Sequence, residues 1–317
     1  MKTVFVINPA AGKGIQENLP KRIYEAADAC GAEAEVYFTK SAGDAARFVK
    51  NYLENYGAAR FIAVGGDGTL NEVLNGMMGA EKAEIGVLPS GSGNDFCRNF
   101  PCNFQDITSQ LTAACEAVDV ISAMREGGEK TYILNMCNIG FDCNVAHEAT
   151  VIRKKGIIRG SAAYFAAILS MLIRKKGANL RIEADGEILH EGPLLLTSIA
   201  NGSFCGGGIK SNPLASVQDG KININIIKDV PRRMFLQLLP AYMHGTVFEK
   251  RIAKGIISTM HCRKVRITPK EADTRLCIDG EIINAGETVF EIVPTAVRFV
   301  LPGFKAETKR EKEALPV

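Results

Sequence analysis

Short apolar runs alternate with amphipathic segments over the first 125 residues of the chain. The apolar runs are rich in β-branched residues and predict strands, and the segments between them have the spacing of helices. Strict alternation of strand and helix predicts a parallel, Rossmann-like α/β sheet covered on both faces, with ligands at the carboxyl ends of its strands. The predicted strands are 3–7, 34–38, 61–64 and 85–88, and the predicted helices are 17–30, 44–55, one from Thr69, and 104–117.

After about residue 126 the pattern changes to pairs of apolar runs joined by turn-forming residues. This spacing is typical of a mostly antiparallel β-sandwich with inserted helices. The predicted strands are 130–138, 179–184, 194–200, 221–228, 264–268, 275–278 and 288–292. We therefore expect an α/β domain at 1–125, a β-rich domain at 126–294, a last strand at about 295–303 that returns to the first domain, and a mobile charged tail at 305–317.

Composition narrows the class of protein. The 317 residues carry 38 Lys and Arg against 35 Asp and Glu, a net charge of +3, which is too balanced for a nucleic-acid-binding protein. Nine cysteines without a Cys-x-x-Cys pair argue against a disulfide framework and a structural zinc site, and they fit a reducing cytoplasm. The longest uncharged stretch near the middle, 160–173, is shorter than the ~20 residues that span a bilayer, so we expect no transmembrane segment.

Residues 65–69 read Gly-Gly-Asp-Gly-Thr between a predicted strand and a predicted helix. Glycines let the backbone bend sharply and approach a ligand, and the first amides of a helix favour anions. The carboxylate of Asp67 would repel a phosphate unless a divalent cation lay between them. The pattern favours a site for a Mg²⁺-bound nucleoside triphosphate, although a tight turn with a capping residue would use the same five residues.

Two further polar loops follow predicted strands. Residues 8–14 read Asn-Pro-Ala-Ala-Gly-Lys-Gly, which is not a Walker A loop but can present amides and Lys13 to a phosphate. Residues 90–96 read Ser-Gly-Ser-Gly-Asn-Asp-Phe and form a second glycine-rich turn before a helix. Three capping-box patterns predict helix starts, at Ser41-x-x-Asp44, Thr69-x-x-Glu72 and Ser92-x-x-Asp95.

These spaced motifs together resemble the diacylglycerol kinase catalytic domain: Asn8-Pro9-x-x-Gly12, Thr39 with Gly43-Asp44-Ala45, 65–72, and Gly91-x-x-Asn94-Asp95-Phe96. The match extends through both domains, so the chain looks like a bacterial lipid kinase of the diacylglycerol and sphingosine kinase superfamily, with a nucleotide-binding first domain and a lipid-substrate second domain. The resemblance implies ATP and Mg²⁺ as cofactors. It implies these residues at the nucleotide: Asn8, Pro9, Ala10, Ala11, Gly12, Thr39, Gly65, Gly66, Asp67, Gly68, Thr69, Leu70, Asn71, Glu72, Ser92 and Asn94.

The candidate catalytic acids lie in Asp279-Gly280-Glu281. In the resemblance Glu281 is the general base for the acceptor hydroxyl, and Asp279 assists it or binds metal. The same tripeptide occurs at 185–187, and in both copies Asp-Gly is the dipeptide expected of a hairpin turn. The later copy matches the family by its place near the end of the second domain, so we interpret the earlier copy as a solvated turn.

The resemblance also implies two magnesium positions. Asp67 would lie near the magnesium of ATP. Some bacterial diacylglycerol kinases carry a structural magnesium, which in this chain would use the Asp219 carboxylate and backbone carbonyls near Ser216 and Lys221. Asp219-Gly220 is also a hairpin signal, so a plain turn is the competing interpretation.

The apolar segment 160–173 has basic residues on both sides. Basic flanks on an apolar helix suit an anionic membrane surface, and a buried helix with basic ends fits equally well. The first interpretation predicts a cytoplasmic enzyme that associates peripherally with the membrane, where it meets a lipid substrate. The flanking residues are Arg153, Lys154, Lys155 and Arg159 before the segment, and Arg174, Lys175 and Lys176 after it.

We expect an ATP-dependent lipid kinase that phosphorylates a lipid hydroxyl, with diacylglycerol as the first candidate. Two alternatives share part of the pattern. One is a soluble-substrate kinase of the NAD kinase type, which also has Gly-Gly-Asp-Gly, and the other is a catalytically idle nucleotide-binding regulator. Acyl-chain pockets have no residue code, so a sphingoid base, a polyprenol and phosphatidylglycerol stay open beside diacylglycerol, as does a homodimer.

Overall fold

The computed structural model of the protein describes residues 1–12, 17–154, 167, 170 and 177–303. Its first part alternates strands and helices, as the hydrophobic pattern predicts. The elements are β1 (Thr3–Ile7), α1 (Leu19–Cys30), β2 (Ala34–Phe38), α2 (Asp44–Tyr56), β3 (Arg60–Gly65), α3 (Asp67–Met77), β4 (Glu84–Pro89), a 3₁₀ helix (Phe96–Asn99) and α4 (Ile107–Thr112).

Helix α1 shows how the sequence builds these elements. Its buried residues Leu19, Ile23 and Ala27 recur every four positions, so they form one apolar stripe that packs on the sheet while the other faces stay in solvent. The helix ends at Gly31, whose left-handed conformation (φ 67°) suits a residue without a side chain. Strand β1 is buried at each of its five positions, as expected of a strand covered on both faces.

Strands β1 to β4 form a parallel sheet in the order β4-β3-β1-β2. Thr3 of β1 pairs with Ala34 of β2 and with Arg60 of β3, and this common register aligns the carboxyl ends of the strands at one edge. The loops that follow β1, β3 and β4 therefore come together at that edge, where ligands bind in sheets of this kind.

The second part is rich in antiparallel strands. Its elements are β5 (Cys115–Arg125), β6 (Lys130–Ile133), β7 (Met136–Gly140), α5 (Phe141–Lys154), β8 (Ala178–Ala184), β9 (Glu187–Ala200), β10 (Ile222–Lys228), α6 (Arg232–Met243), β11 (Ile257–Cys262), β12 (Lys264–Pro269), β13 (Arg275–Ile278), β14 (Glu281–Asn284) and β15 (Thr288–Val300). Two 3₁₀ helices, Val247–Glu249 and Arg251–Ala253, follow α6.

Strand β15 joins the two parts. It pairs antiparallel with β5 at residues 288–293 and 297–300, and on its other side Arg298 and Phe299 pair in parallel with Glu84 and Ile85 of β4. Eleven strands follow one another by hydrogen bonding in the order β14-β13-β7-β9-β8-β12-β15-β4-β3-β1-β2, while β10 with β11 branches from β9 and β5 with β6 branches from β15. The predicted fold class, a parallel α/β part with a mostly antiparallel β-sandwich, is confirmed.

Two predicted elements are wrong. The helix predicted at 104–117 ends at Thr112, and the chain continues as β5 from Cys115 because its β-branched residues pack well on a pleated surface. The strand predicted at 130–138 is two strands, β6 and β7, because the N–H groups of Leu134 and Asn135 donate to a side chain, that of Asp279.

Some predictions fall outside the described residues. These are the phosphate contact of Lys13, the tail 305–317, and the apolar segment 160–173 except for Ala167 and Ser170. Over the ranges that are described, no helix has the length and apolar character needed to cross a bilayer.

Candidate active site

Three glycine-rich loops pack against one another at the carboxyl edge of the parallel sheet. A side chain at Gly12 (φ 61°) would place its Cβ 1.9 Å from the carbonyl oxygen of Ser90, and one at Gly91 would place its Cβ 2.4 Å from Cα of Gly66. The N–H of Ser90 donates to the carbonyl oxygen of Gly65 at 2.8 Å. Glycine is therefore required at these positions because the loop backbones touch.

The second of these loops leads directly into α3. The helix begins at Asp67 rather than at the predicted Thr69, because Gly66 is extended (φ −97°, ψ −169°) and is the N-cap residue. The first N–H groups of a helix have no partner within the helix and lie at its positive end. The start of α3 therefore offers unpaired donors to an anion, as the glycine-rich pattern predicts.

The predicted capping box at Thr69 and Glu72 does not form, because both side chains have partners elsewhere. The Thr69 hydroxyl accepts a hydrogen bond from Asn8 Nδ2 at 3.0 Å, which ties the first loop to α3. The Glu72 carboxylate accepts from the N–H groups of Gly43 at 2.9 Å and Ala45 at 3.2 Å. Glu72 thus caps α2, the neighbouring helix.

The other two predicted capping boxes also fail. The N-cap residue of α2 is Gly43, and neither it nor Asp95, the N-cap residue before the 3₁₀ helix, makes a side-chain capping bond. Asp44 instead accepts hydrogen bonds from the Lys40 N–H and the Tyr37 hydroxyl. Short polar side chains can form hydrogen bonds with nearby groups other than helix ends. The capping-box pattern alone therefore did not identify the N-cap residues.

Two asparagines shape the loops from within. Asn8 Oδ1 accepts from the N–H of Ala10 at 2.9 Å. Asn94, in the left-handed region (φ 52°), accepts from the N–H of Gly91 at 3.1 Å and donates to its carbonyl oxygen at 2.9 Å. The predicted nucleotide residues Asn8 and Asn94 therefore hold the loop conformations.

Two acids, Asp67 and Asp95, face the same point of the cleft. A Cβ added at Gly93 would lie 2.8 Å from Oδ2 of Asp67 and 3.2 Å from Oδ2 of Asp95. Because both oxygens lie this close to one point, they are at most 6.0 Å apart. Burial, and then the charge of Asp67, raises the pKa of Asp95 to about 6. Burial also raises the pKa of Asp67, against the effect of backbone donors such as the Phe96 N–H.

The paired acids fit a divalent cation. Mg²⁺ is usually bound through one or two carboxylates together with substrate phosphates, and two like charges in a buried site repel each other unless a cation compensates them. In the described parts of the chain, no group of three or more His, Cys, Asp and Glu side chains is arranged to hold a metal ion by itself. Asp67 and Asp95 therefore suit a metal that arrives with a nucleotide.

The opposite wall carries Asp279 and Glu281 on the turn between β13 and β14. The buried Asp279 carboxylate accepts four hydrogen bonds at 2.8–3.1 Å, from Asn71 Nδ2 and from the N–H groups of Leu134, Asn135 and Met136. Burial raises the pKa of Asp279 to about 6, and these donors oppose the rise. Asp279 thus fastens the turn to α3, and Glu281 is exposed at the cleft.

Asp142, Gly207 and Asp95 are among the cleft-lining residues that the predicted site omitted. Asp142, at the start of α5, is buried and accepts from the Tyr242 hydroxyl at 2.6 Å, and burial raises its pKa to about 6. Gly207 donates its N–H to both carboxylate oxygens of Asp95, at 3.1 and 2.9 Å. Asp95 stands in the quoted glycine-rich motif, but no local pattern marks Asp142 or Gly207.

The cleft between the two parts has a volume of about 420 Å³. The predicted residues that line it are Asn8, Ala11, Gly12, Gly66, Asp67, Gly68, Thr69, Ser92, Asp279 and Glu281. The predicted residues that the structure places outside its lining are Pro9, Ala10, Thr39, Gly65, Leu70, Asn71, Glu72, Asn94, Ser216, Asp219 and Lys221. Leu70 is buried in the hydrophobic core, and Asn71 reaches the site through Asp279.

The predicted second magnesium position lies away from the cleft. Asp219 Oδ1 accepts from the Lys221 N–H at 3.0 Å, as in a plain turn. Beside it, the buried Asp119 carboxylate accepts from the N–H groups of Gly220 at 2.7 Å and Thr295 at 2.7 Å. A metal at Asp219, Ser216 and Lys221 stays a prediction.

Comparison with known proteins follows the same division of the chain. Residues 2–123 match the diacylglycerol kinase catalytic domain, and residues 135–301 match the YegS C-terminal NAD kinase beta sandwich-like domain. The chain is 30% identical over 281 residues to the lipid kinase YegS of Escherichia coli (strain K12), covering 86% of this chain and 87% of that protein. It is 28% identical over 308 residues to a diacylglycerol kinase of Bacillus subtilis (strain 168), covering 96% and 97%.

A solved structure shares the whole fold. The crystal structure of a diacylglycerol kinase from Bacillus anthracis str. Sterne aligns with a TM-score of 0.71 and 20% sequence identity, covering 95% of this chain and 97% of that one. At this identity the likeness extends to the fold alone. The two-part architecture is thus shared with a solved protein.

Proposed function

The chain belongs to the family of diacylglycerol kinases and YegS-like lipid kinases, and we propose that it transfers the γ-phosphoryl group of Mg²⁺-ATP to the hydroxyl of diacylglycerol. The observation that carries the proposal is the placement of an exposed carboxylate, Glu281, across one cleft from the amides of α3 and the acids Asp67 and Asp95. Phosphoryl transfer needs these parts together: an anion cradle, charge neutralisation and a proton acceptor.

The glycine-rich loops hold the phosphates in this proposal. Glycines at positions 12, 66 and 91 let the three loop backbones pack against one another at the edge of the cleft, and the first turn of α3 supplies donors. Asp67 and Asp95 hold the magnesium of the nucleotide, which would neutralise charge on the phosphates. Ser92 lines the same wall and offers its hydroxyl.

Glu281 acts as the general base. A carboxylate must reach the acceptor hydroxyl to take its proton, and Glu281 is free to do so because no hydrogen bond or ion pair in the described structure engages its side chain. Asp279 is a positioning residue, since both of its carboxylate oxygens are occupied by donors from Asn71 and residues 134–136. It holds the turn so that Glu281 faces the nucleotide side.

Diacylglycerol is the acceptor that the names of the relatives favour. One similar protein is named diacylglycerol kinase and another lipid kinase, and the first family description names the same activity. Two observations favour the NAD kinase alternative: the shared Gly-Gly-Asp-Gly motif at 65–68 and the sandwich that the second family description shares with NAD kinases. A panel of NAD, diacylglycerol and phosphatidylglycerol, each with ATP, separates these acceptors.

Glu187, in the other Asp-Gly-Glu tripeptide, provides a matched control for the role of Glu281. Glu281→Gln keeps the shape of the side chain and removes its basicity, so we expect kcat to fall at least about a hundredfold, the usual contribution of a general base, with ATP affinity nearly unchanged. Glu187→Gln changes the same residue in the same tripeptide at the other hairpin and should leave kcat as it is. Turnover with diacylglycerol and titration with an ATP analogue measure both effects; full activity of the Glu281→Gln protein would refute the assignment.

A further inference from the structure

Helix α6 presents an exposed face that is basic and carries one large apolar side chain. Its buried residues, Phe235, Leu238 and Tyr242, pack into a hydrophobic cluster with α5. The opposite stripe has the helical spacing of a solvent face. Its members are Arg232, Arg233, Leu236, Gln237 and Pro240, and Leu236 is 53% exposed.

The two 3₁₀ helices that follow α6 extend this face. Val247 and Ala253 are buried in the same cluster as α6, so the turns are packed beside the helix. Exposed residues in and beside these turns include the cations Lys250, Arg251 and Lys254 and the apolar Ile252, which is 47% exposed. Two large apolar side chains thus stand among exposed cations on one flank of the second part.

The charge of this flank differs from that of the rest of the chain. Residues 228–254 hold six Lys and Arg against two acids, Asp229 and Glu249, a net charge of +4. The whole chain carries only +3, so the remaining residues sum to −1. We call the six exposed cations the basic face: Lys228, Arg232, Arg233, Lys250, Arg251 and Lys254.

The basic face is connected to the cleft through α5. The rings of Phe141 and Phe235 meet edge to face with centroids 4.8 Å apart. The Tyr242 hydroxyl of α6 donates to Asp142, which lines the cleft. Ala167, from the predicted apolar segment, is buried in the same cluster. The hydrophobic cluster beneath α6 therefore adjoins the cleft at Asp142.

We propose that the basic face, with Leu236 and Ile252 inserted between the headgroups, docks the enzyme on a bilayer that contains anionic lipid. This inference rests on the proposed function, because a lipid acceptor has to be taken from a membrane. Exposed cations are attracted to an anionic surface and exposed apolar side chains add burial in the headgroup region. An acidic protein is the competing occupant, and polyglutamate serves as its probe in the binding test.

Charge reversal tests the docking. In Arg233→Glu/Lys250→Glu/Arg251→Glu/Lys254→Glu, binding to vesicles of equimolar phosphatidylcholine and phosphatidylglycerol, measured by sedimentation without ATP, should weaken at least about tenfold. The matched control Lys21→Glu/Lys50→Glu/Lys82→Glu/Lys130→Glu makes the same change of charge at exposed lysines elsewhere and should bind as the wild-type protein does. Equal losses of vesicle binding in both variants would show that binding depends only on net charge and would overturn the proposal.

A second variant tests the apolar part. Leu236→Gln/Ile252→Gln keeps every charge and should remove the vesicle binding that persists at high salt, since salt screens only the electrostatic attraction. Circular dichroism should show unchanged folding, because both side chains are exposed. Docking on lipid would be refuted if the wild-type protein did not bind the vesicles, or if it bound polyglutamate more tightly than the vesicles.

The same preparations separate this proposal from the proposed function. Phosphorylation of a short-chain, water-soluble diacylglycerol should be equal in the wild-type and charge-reversed proteins, because the basic face is not part of the cleft lining. Vesicle binding through the basic face without any phosphoryl transfer would refute the kinase assignment alone. The docking alone would be refuted if the protein phosphorylated the soluble lipid and the charge-reversed variant bound vesicles as tightly as the wild-type protein.

Discussion

At the scale of single residues, the two Asp-Gly-Glu tripeptides, 185–187 and 279–281, have different roles because their surroundings differ. Asp185 (φ 48°) and Asp279 (φ 44°) both turn a hairpin in the left-handed region, and both accept N–H donors from a neighbouring segment. Asp185 takes those of Arg263 and Lys264, on the exposed surface, and Asp279 takes those of residues 134–136, in the cleft wall. The glutamate two positions later meets the cleft only in the second case.

Asp95, which we propose as a magnesium ligand, lowers the stability of the folded protein when its carboxylate is ionised. Its pKa in the folded protein, about 6, lies above its ordinary value of 3.8. The folded state therefore binds the proton more tightly than the unfolded chain, and the contribution of this group to stability falls as the pH rises from about 4 to about 6. Asp95→Asn should raise the free energy of unfolding at pH 7 by up to about 3 kcal/mol and should lower turnover with Mg²⁺-ATP.

Thermal unfolding at pH 7 and pH 4.5 measures this effect. The gain in melting temperature from Asp95→Asn should be larger at pH 7, where the native carboxylate is ionised, and the wild-type protein should gain more stability from added Mg²⁺ than the variant does. Asp28→Asn, at an exposed position of α1, is the control. A variant that melts lower at pH 7 than the wild-type protein would contradict the account.

At the scale of elements, the glycine-rich loops form one packed unit. The backbones after β1, β3 and β4 touch at Gly12, Ser90, Gly66 and Gly91, so each loop fixes the position of the others. The hydrogen bond from Asn8 to Thr69 and the bonds within the Gly91–Asn94 turn support the same arrangement. A change in one loop should therefore disturb nucleotide binding by all three.

Gly91→Ala tests this coupling. Its Cβ would lie 2.4 Å from Cα of Gly66, so the loops must separate, and overpacking of this kind costs about 1–3 kcal/mol. We expect a lower melting temperature and weaker ATP binding. Gly68→Ala, in the same segment, would meet nothing within 4 Å and should not lower the melting temperature. Equal melting temperatures for the two variants would show that the loops are not in contact.

Local patterns predicted the elements of the parallel sheet well because β1 and β3 are buried at every position and β4 at all but its last. Strands β1 and β2 have the predicted bounds. The pattern failed at 115–125, where the strand depends on its partner β15, about 170 residues away in the chain. It also omitted β11, whose residues alternate weakly, and β14, which is only four residues long.

At the scale of the whole molecule, the candidate site exists only because two distant parts meet. The motif residues of the first part could be found from the sequence, since glycines and acids at fixed spacing have a known physical use. The proximity of Asp67 to Asp95 and the bond from Asn71 to Asp279, 208 positions apart, depend on tertiary folding. Asp142 follows no motif, so only the structure places it in the cleft.

The proposed phosphorylation of a lipid can be measured by incubating the protein with γ-labelled ATP, Mg²⁺ and diacylglycerol vesicles, followed by organic extraction. We expect label in the organic phase as phosphatidic acid, retained in Glu187→Gln and lost in Glu281→Gln. Label confined to water-soluble products, or absent from every lipid while ATP binds, would contradict it.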